Sequence, residues 1–448
     1  MPGEPLPWAW GKRYLTIIVV NNEEGFALVA ELVTDIPAAE VSGTNKNWLY
    51  LLGLSLSVMV GGLSSVCIKQ LLLPIQSAQL APHNTNVVFT LVSSVGAVAG
   101  LIALPLVGAI SDRTTLRSGR RRPWIALGMA IAVIGMSIMA FARSVPLLLI
   151  GEVFAQIGVD TVLTTSTALI PDQVPLRQRA FISACVGIAP NVGGVIGLLL
   201  VSHFTDTRTI SQGYILMAVA SLCCVMFFLA ILDDPAISQT DLPPFHLGRF
   251  LLSFVRPLRV KNFAFTFASR CCAYLAFTIL GAYTLFYLVG RLHETTPVAA
   301  TGVATFQLLS TLVLGLVAAG AGWLSRRSNR LKPFVIGGAL GMAAGLGVMV
   351  LFPTWTALLL AAAIFGAGFG SYLAVDIALA VRVLPSAQAR AKDLGIMYDA
   401  IYLPLILSPI IGGGVLTLFH NNFALLFSVA ALSGVLAALL ILPIKSVR

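Results

Sequence analysis

Apolar stretches alternate along the chain with short segments rich in Pro, Gly or charge. Each stretch approaches the roughly 20 residues that a helix needs to cross a hydrocarbon core about 30 Å thick. Twelve of them predict helices over 48–75, 86–111, 123–142, 145–170, 180–203, 212–232, 263–290, 298–324, 333–352, 355–384, 394–419 and 422–443. The fourth carries Glu152, Gln156, Asp160, Thr164 and Thr167 at spacings of four and three, so a helix gathers them into one polar stripe.

The pattern also repeats. Val174-Pro175 to Arg179-Ala180, followed by Pro190, Gly193 and Gly194, returns half a chain later as Leu384-Pro385 to Arg390-Ala391, followed by Pro409, Gly412 and Gly413. A duplicated unit of apolar helices is the mark of a transporter whose halves rock about a central site. The predicted fold is therefore an all-α membrane protein of twelve helices in two pseudo-symmetric six-helix bundles. The bundles take residues 48–232 and 263–443, joined by a linker, 233–262, and flanked by a tail, 1–47, and a C-terminal segment, 444–448. Lys12-Arg13 and the apolar run Tyr14–Val20 faintly resemble a signal peptide. Asn21-Asn22-Glu23-Glu24 stands where small residues would be cleaved, so a cytoplasmic tail is the better reading.

Composition agrees, with 58% hydrophobic and 10% charged residues and a mean hydropathy of +0.93, far from the balance of a soluble domain. The net charge of +10 does not call for nucleic acid, because the basic residues fall in short clusters without aromatic interleaving. They mark topology. Arg113 to Arg122, Arg177 and Arg179, Arg249 to Lys261, Arg326 to Lys332, and Arg382 to Lys392 occupy alternate loops. The opposite loops hold only Arg143, Arg208 and Arg291, so both termini are predicted to be cytoplasmic. The six cysteines sit in apolar runs without metal-ligand spacing, and no metal or cofactor is expected.

Gly108, Asp112, Arg113, Gly119, Arg120 and Arg121, ending at Arg122-Pro123, form the most specific local signal, between helices 2 and 3. This loop resembles the signature loop of the major facilitator superfamily, in the longer form of the sucrose:proton symporters and related glycoside carriers. Leu73-Pro74 with Gln76, Ala168 to Asp172, and Ser371 to Asp376 with Lys392 to Gly395 are similar to an actinobacterial group of that superfamily. The resemblance implies a gating role for the loop and a cavity lined by helices 1, 4, 7 and 10. There are departures: Gln156 stands where the plant sucrose carriers have a carboxylate, Tyr398 and Ile401 replace Asn residues, and Arg326 replaces the loop carboxylate in the second half.

An ionisable residue deep in a span costs about 2.5 to 3.5 kcal/mol on insertion scales, so each needs a partner or a purpose. Depth counting pairs Lys69 with Glu152 and Arg270 with Asp376; a plain helix-joining ion pair accounts for either as well as a functional role does. Asp160 has no partner evident from the sequence. Burial without a counter-charge favours the protonated form of a carboxylic acid, the property a proton-coupling group needs. Asp160 is thus the first candidate, with Asp399 and Glu152 behind it. Gln156, Asn191, Tyr274, Tyr283, Gln307, Tyr372 and Tyr398 are candidates for binding a neutral polar solute, although helical tyrosines also serve as packing residues.

The sequence therefore predicts a monomeric, multi-pass protein of the cell membrane that moves a sugar-like solute with protons. Proton-driven efflux of a drug or metabolite is the alternative. No His-Glu-x-x-His, Gly-x-Ser-x-Gly or Gly-x-x-x-x-Gly-Lys-Ser/Thr run is present, so neither an enzyme nor ATP hydrolysis is expected.

Overall fold

A computed structural model describes residues 46–205, 209–234, 260–328, 330–383 and 390–444. Among them are twelve helices long and apolar enough to cross a membrane. The first bundle holds α1 (Trp48–Leu80), α2 (Thr85–Ser111), α3 (Arg122–Ala140), α4 (Val145–Gln173), α5 (Leu176–Val201) and α6 (Ile210–Ile231). The second holds α7 (Lys261–Gly290), α8 (Thr296–Ser328), α9 (Lys332–Leu351), α10 (Trp355–Arg382), α11 (Arg390–Leu418) and α12 (Phe423–Ile441).

Local chemistry sets the helix starts. Pro123, Pro146 and Pro333 stand in the first turns of α3, α4 and α9, where a missing N–H costs nothing. Thr354 and Asn422 accept from the Ala357 and Leu425 amides to cap α10 and α12. The largest departure from the sequence expectation is α1, which runs to Leu80 rather than 75. Pro74 does not stop it, because it opens the segment Leu73–Leu80 directly after two π-helical stretches, Gly61–Val66 and Ile68–Leu72.

The helices are apolar on both sides. Inward faces build a continuous core that includes Leu54, Phe89, Met136, Phe228, Phe365 and Phe427, while Leu316 and Leu432 remain 76% and 58% exposed on the outside. Such faces are stable only against lipid. Close pairing inside each bundle uses facing glycines. Gly128 and Gly135 of α3 meet the α4 backbone at Gly158 and Ala155, and Gly338 and Gly345 of α9 meet α10 at Gly368 and Phe365. The two bundles touch mainly through α2 on α11 and α5 on α8, with the π-helical part of α1 against α7.

Candidate functional site

A cavity of about 240 Å³ lies where the bundles meet, lined from α1, α2, α4 and α5 on one side and from α7, α8 and α11 on the other. Gln156, Asp160, Asn191 and Gln307 all reach it, as do Lys69, Gln70, Ser93, Thr278, Tyr402 and Ser408. Sequence reasoning had not named Gln70, Ser93, Thr278, Tyr402 or Ser408 for this role. Gln70 directly follows Lys69, a usable signal; the hydroxyls looked like any others in apolar helices.

The α4 stripe supplies the carboxylate of the cavity and α1 the cation, Lys69. The Gln156 side-chain amide donates to Asp160 Oδ2 at 2.8 Å, so the carboxylate expected to lack a partner has one a single turn away. Spacing of four along a helix places the two side chains side by side, and an amide–carboxylate pair of this kind does not show as a pair of opposite charges. Glu152 lies outside the cavity, buried at 2% exposure, with Oε1 4.0 Å from Lys69 Nζ and without a hydrogen-bond partner.

In the second bundle Arg270 Nη2 stands 3.0 Å from Asp376 Oδ2, both residues buried. The Arg270 guanidinium lies 5.8 Å from the Tyr274 ring centroid. Tyr274, Tyr283 and Tyr372 do not line the central cavity. All three are buried in packing: Tyr274 meets Phe369, Tyr372 carries the backbone on which Gly338 rests, and the Tyr283 hydroxyl donates to the Pro409 carbonyl at 3.0 Å. A phenol that finds a backbone acceptor inside a bundle needs no cavity. Tyr398 and Asp399 belong to α11, but their side chains lie outside the described residues.

The end of the cavity away from the basic loops is sealed between bundles. Asn86 donates to the Asn421 side chain at 2.8 Å, Thr90 to the Pro409 carbonyl at 3.0 Å and Ser94 to the Ile406 carbonyl at 3.4 Å, three bonds from α2 to α11 or the turn after it. Phe89 adds edge contacts to Tyr283 and Phe286 with centroids 5.6 and 5.2 Å away. Beyond this layer a second, wider cavity of about 690 Å³ opens, lined by Asn86, Phe286 and Asn421.

At the opposite end the α2–α3 loop is a clamp within the first bundle. Asp112 accepts from Arg120 Nη2 at 2.7 Å and Arg121 Nη2 at 2.6 Å. Arg121 also reaches Asp172 at the end of α4 at 3.1 Å and donates to Ser111 at 2.6 Å. Asp234, just after α6, accepts from the Arg121 and Arg122 amides at the start of α3, a carboxylate on a helix N-terminus. Gly119 makes room with a φ of +108°, and any side chain there would strike Asp234. The loop thus ties α2, α3, α4 and the end of α6 together. Gly108 leaves only ordinary contact with Thr164, and Arg326 in the second half donates to its own helix at Gly322.

A family model described as Major Facilitator Superfamily matches residues 54–327. The triacylglyceride transporter of Mycolicibacterium smegmatis is 27% identical over 195 residues, covering 42% of this chain and 33% of that protein. The general alpha-glucoside permease of Schizosaccharomyces pombe is 24% identical over 260 residues, 50% of this chain and 47% of the permease. The chain therefore spans about a third to a half of the length of these curated relatives. Among solved structures, a D-xylose-proton symporter superposes with a TM-score of 0.67 at 18% identity, over 90% of this chain and 98% of that one, a likeness of fold.

Proposed function

Because the chain belongs to the Major Facilitator Superfamily of membrane transporters, we propose that it carries a small, polar, sugar-like solute by proton-coupled alternating access between the bundles 48–232 and 263–443. The observation that carries this reading is the 240 Å³ cavity at the bundle junction, where Asp160 and Lys69 sit among neutral amides and hydroxyls. Amides of Gln156, Asn191 and Gln307 with the hydroxyls of Ser93 and Thr278 suit an uncharged polyhydroxyl solute. The volume lies near the small end of ligand pockets, about 300–1,000 Å³, and fits a sugar better than an acyl-chain lipid. A relative that transports alpha-glucosides and a fold shared with a xylose-proton symporter support the same class.

In this reading Asp160 takes up and releases the proton, and the Gln156 amide steadies its ionised form. Lys69 compensates Glu152, and the Arg270–Asp376 pair holds α7 to α10. The protein works as a monomer in the plasma membrane with its basic loops and both termini in the cytoplasm. The sealed end is then extracellular, and the described conformation is closed to the outside.

Apolar groups beside the polar ones, among them Phe277 and Leu405, and a relative that transports triacylglyceride favour a second reading, proton-driven export of an amphipathic compound. Vesicles carrying the purified protein and an imposed proton gradient, tested across a panel of sugars and amphipathic drugs, separate the two. Proton-driven accumulation of a sugar from the extracellular face supports symport; extrusion of an amphipathic compound supports export. Asp160→Asn is expected to abolish gradient-driven accumulation while solute counterflow persists, and gradient dependence equal to the parent removes Asp160 from coupling.

A further inference from the structure

Glu152 and Asp160 of α4 rest on the same helix that forms the outer seal, and that helix, Thr85–Ser111, contains no ionisable residue. Gly96 and Gly100 are the seats. A methyl group at Gly96 would lie 2.7 Å from Glu152 Cγ and 2.9 Å from Oε1, and one at Gly100 would overlap the Asp160 carboxylate and crowd Gln156 Cγ at 3.1 Å. Gly96 and Gly100 lie one turn apart, on a face adjoining that of Asn86, Thr90 and Ser94, the residues bonded across the seal. Buried Glu152 Oε1 is aimed at Gly96 and lacks a hydrogen-bond partner.

Other elements supply the remaining ionisable groups around the stripe. Lys69 comes from α1, buried Tyr214 from α6, and Tyr402 of α11 lines the same cavity as Asp160. At Gly96 and Gly100, α2 presents only backbone, already bonded within its own helix, and the Ser93 hydroxyl one turn away, which lines the same cavity, bonds to neither carboxylate. An ionised carboxylate needs donors or water that this surface cannot give, whereas a protonated one packs against it.

From this juxtaposition we propose that α2 transmits the charge state of Asp160 to the outer seal, with Gly96 and Gly100 as positioning residues. The proposal rests on the reading of Asp160 as the proton site. Loss of the proton drives water between α4 and α2, displaces α2 and draws Thr90 and Ser94 off α11. Protonation lets α2 settle back and closes the seal. The order suits a carrier that must accept its proton from outside.

The test uses the full chain in lipid nanodiscs, with spin-labelled unnatural amino acids at Val87 and Leu418, which are 50% and 74% exposed at the outer ends of α2 and α11. In the parent the label-to-label distance is expected to lengthen when acidic buffer is exchanged for mildly alkaline. Gly100→Ala and Asp160→Asn should each abolish that change, and Ile102→Ala, on an exposed face of α2, should keep it. If Asp160→Asn abolishes the change but Gly100→Ala keeps it, the role of α2 is overturned while the Asp160 reading stands. A change that survives in Asp160→Asn, with gradient-driven uptake intact, sinks both. Should Gly100→Ala not fold, Gly96→Ala takes its place: Glu152→Asp, one methylene shorter, should restore the change lost in Gly96→Ala. Continued loss in the double variant, with Glu152→Asp alone responding normally, overturns the proposal.

Discussion

Arg270 and Asp376 show how a single buried pair divides its contribution between the two partners. Removing one charge leaves the other buried without compensation, which costs about 3–5 kcal/mol, whereas replacing both by apolar groups of similar volume is often neutral. Arg270→Met and Asp376→Leu are each expected to lower the thermal unfolding midpoint in detergent sharply, and the double variant to recover most of the loss. If transport is also restored in the double variant, the pair joins helices and does no more. Gly119 is a second single-residue test. Its φ of +108° and its contact with Asp234 make Gly119→Ala destabilising by about 1–3 kcal/mol from backbone conformation alone. A melting curve unchanged from the parent would contradict that.

At the scale of elements, α2 is anchored at both ends to different partners: its C-terminal end to the Arg121–Asp172 clamp of its own bundle, its N-terminal half to α11 of the other. The outer bonds are few and neutral, worth about 0.5–1.5 kcal/mol each. Thr90→Val keeps shape and loses the hydroxyl. It should raise the rate at which a membrane-impermeant probe reaches a cysteine placed at Ser93, by several-fold, and an unaltered rate would show that the aromatic layer alone holds the seal. The clamp was partly legible beforehand, since Gly108, Asp112 and the three arginines Arg120 to Arg122 form a compact local pattern. Asp234 was not, because its target is the start of α3, more than a hundred residues away. Periodicity says which way a residue points around its own helix, never which neighbour it meets. For that reason spacing could put five polar residues on one face of α4, but not that only Gln156 and Asp160 of them line the cavity, nor the fate of Tyr274, Tyr283 and Tyr372.

For the whole molecule, length and hydropathy were enough to read twelve spans, because a bilayer imposes one length scale on every crossing segment, and the repeated Pro-Gly-Gly pattern gave the doubled architecture. Helix ends deviated where chemistry local to the backbone intervened, as at Pro74, where the π-helical register carries α1 onward. The repeated Pro-Gly-Gly pattern serves different purposes in its two copies. In α5, Gly193 and Gly194 sit against α1 inside one bundle; in α11, Gly412 meets Tyr283 and Gly413 meets Thr90 of the opposite bundle. The same pattern thus fastens helices within the first bundle and meets the opposite bundle in the second.

The Pro409 carbonyl belongs to that edge. It accepts from Tyr283 of its own bundle and from Thr90 of the other, so the oxygen keeps a donor whichever way the bundles lean. Parting the halves orphans nothing at this point, and the hydroxyl that departs can turn to a carbonyl of its own helix. A latch built with a spare is inexpensive to release, and under the proposed alternating access a carrier gains from a joint whose undoing leaves no unpaired group in the low-dielectric interior.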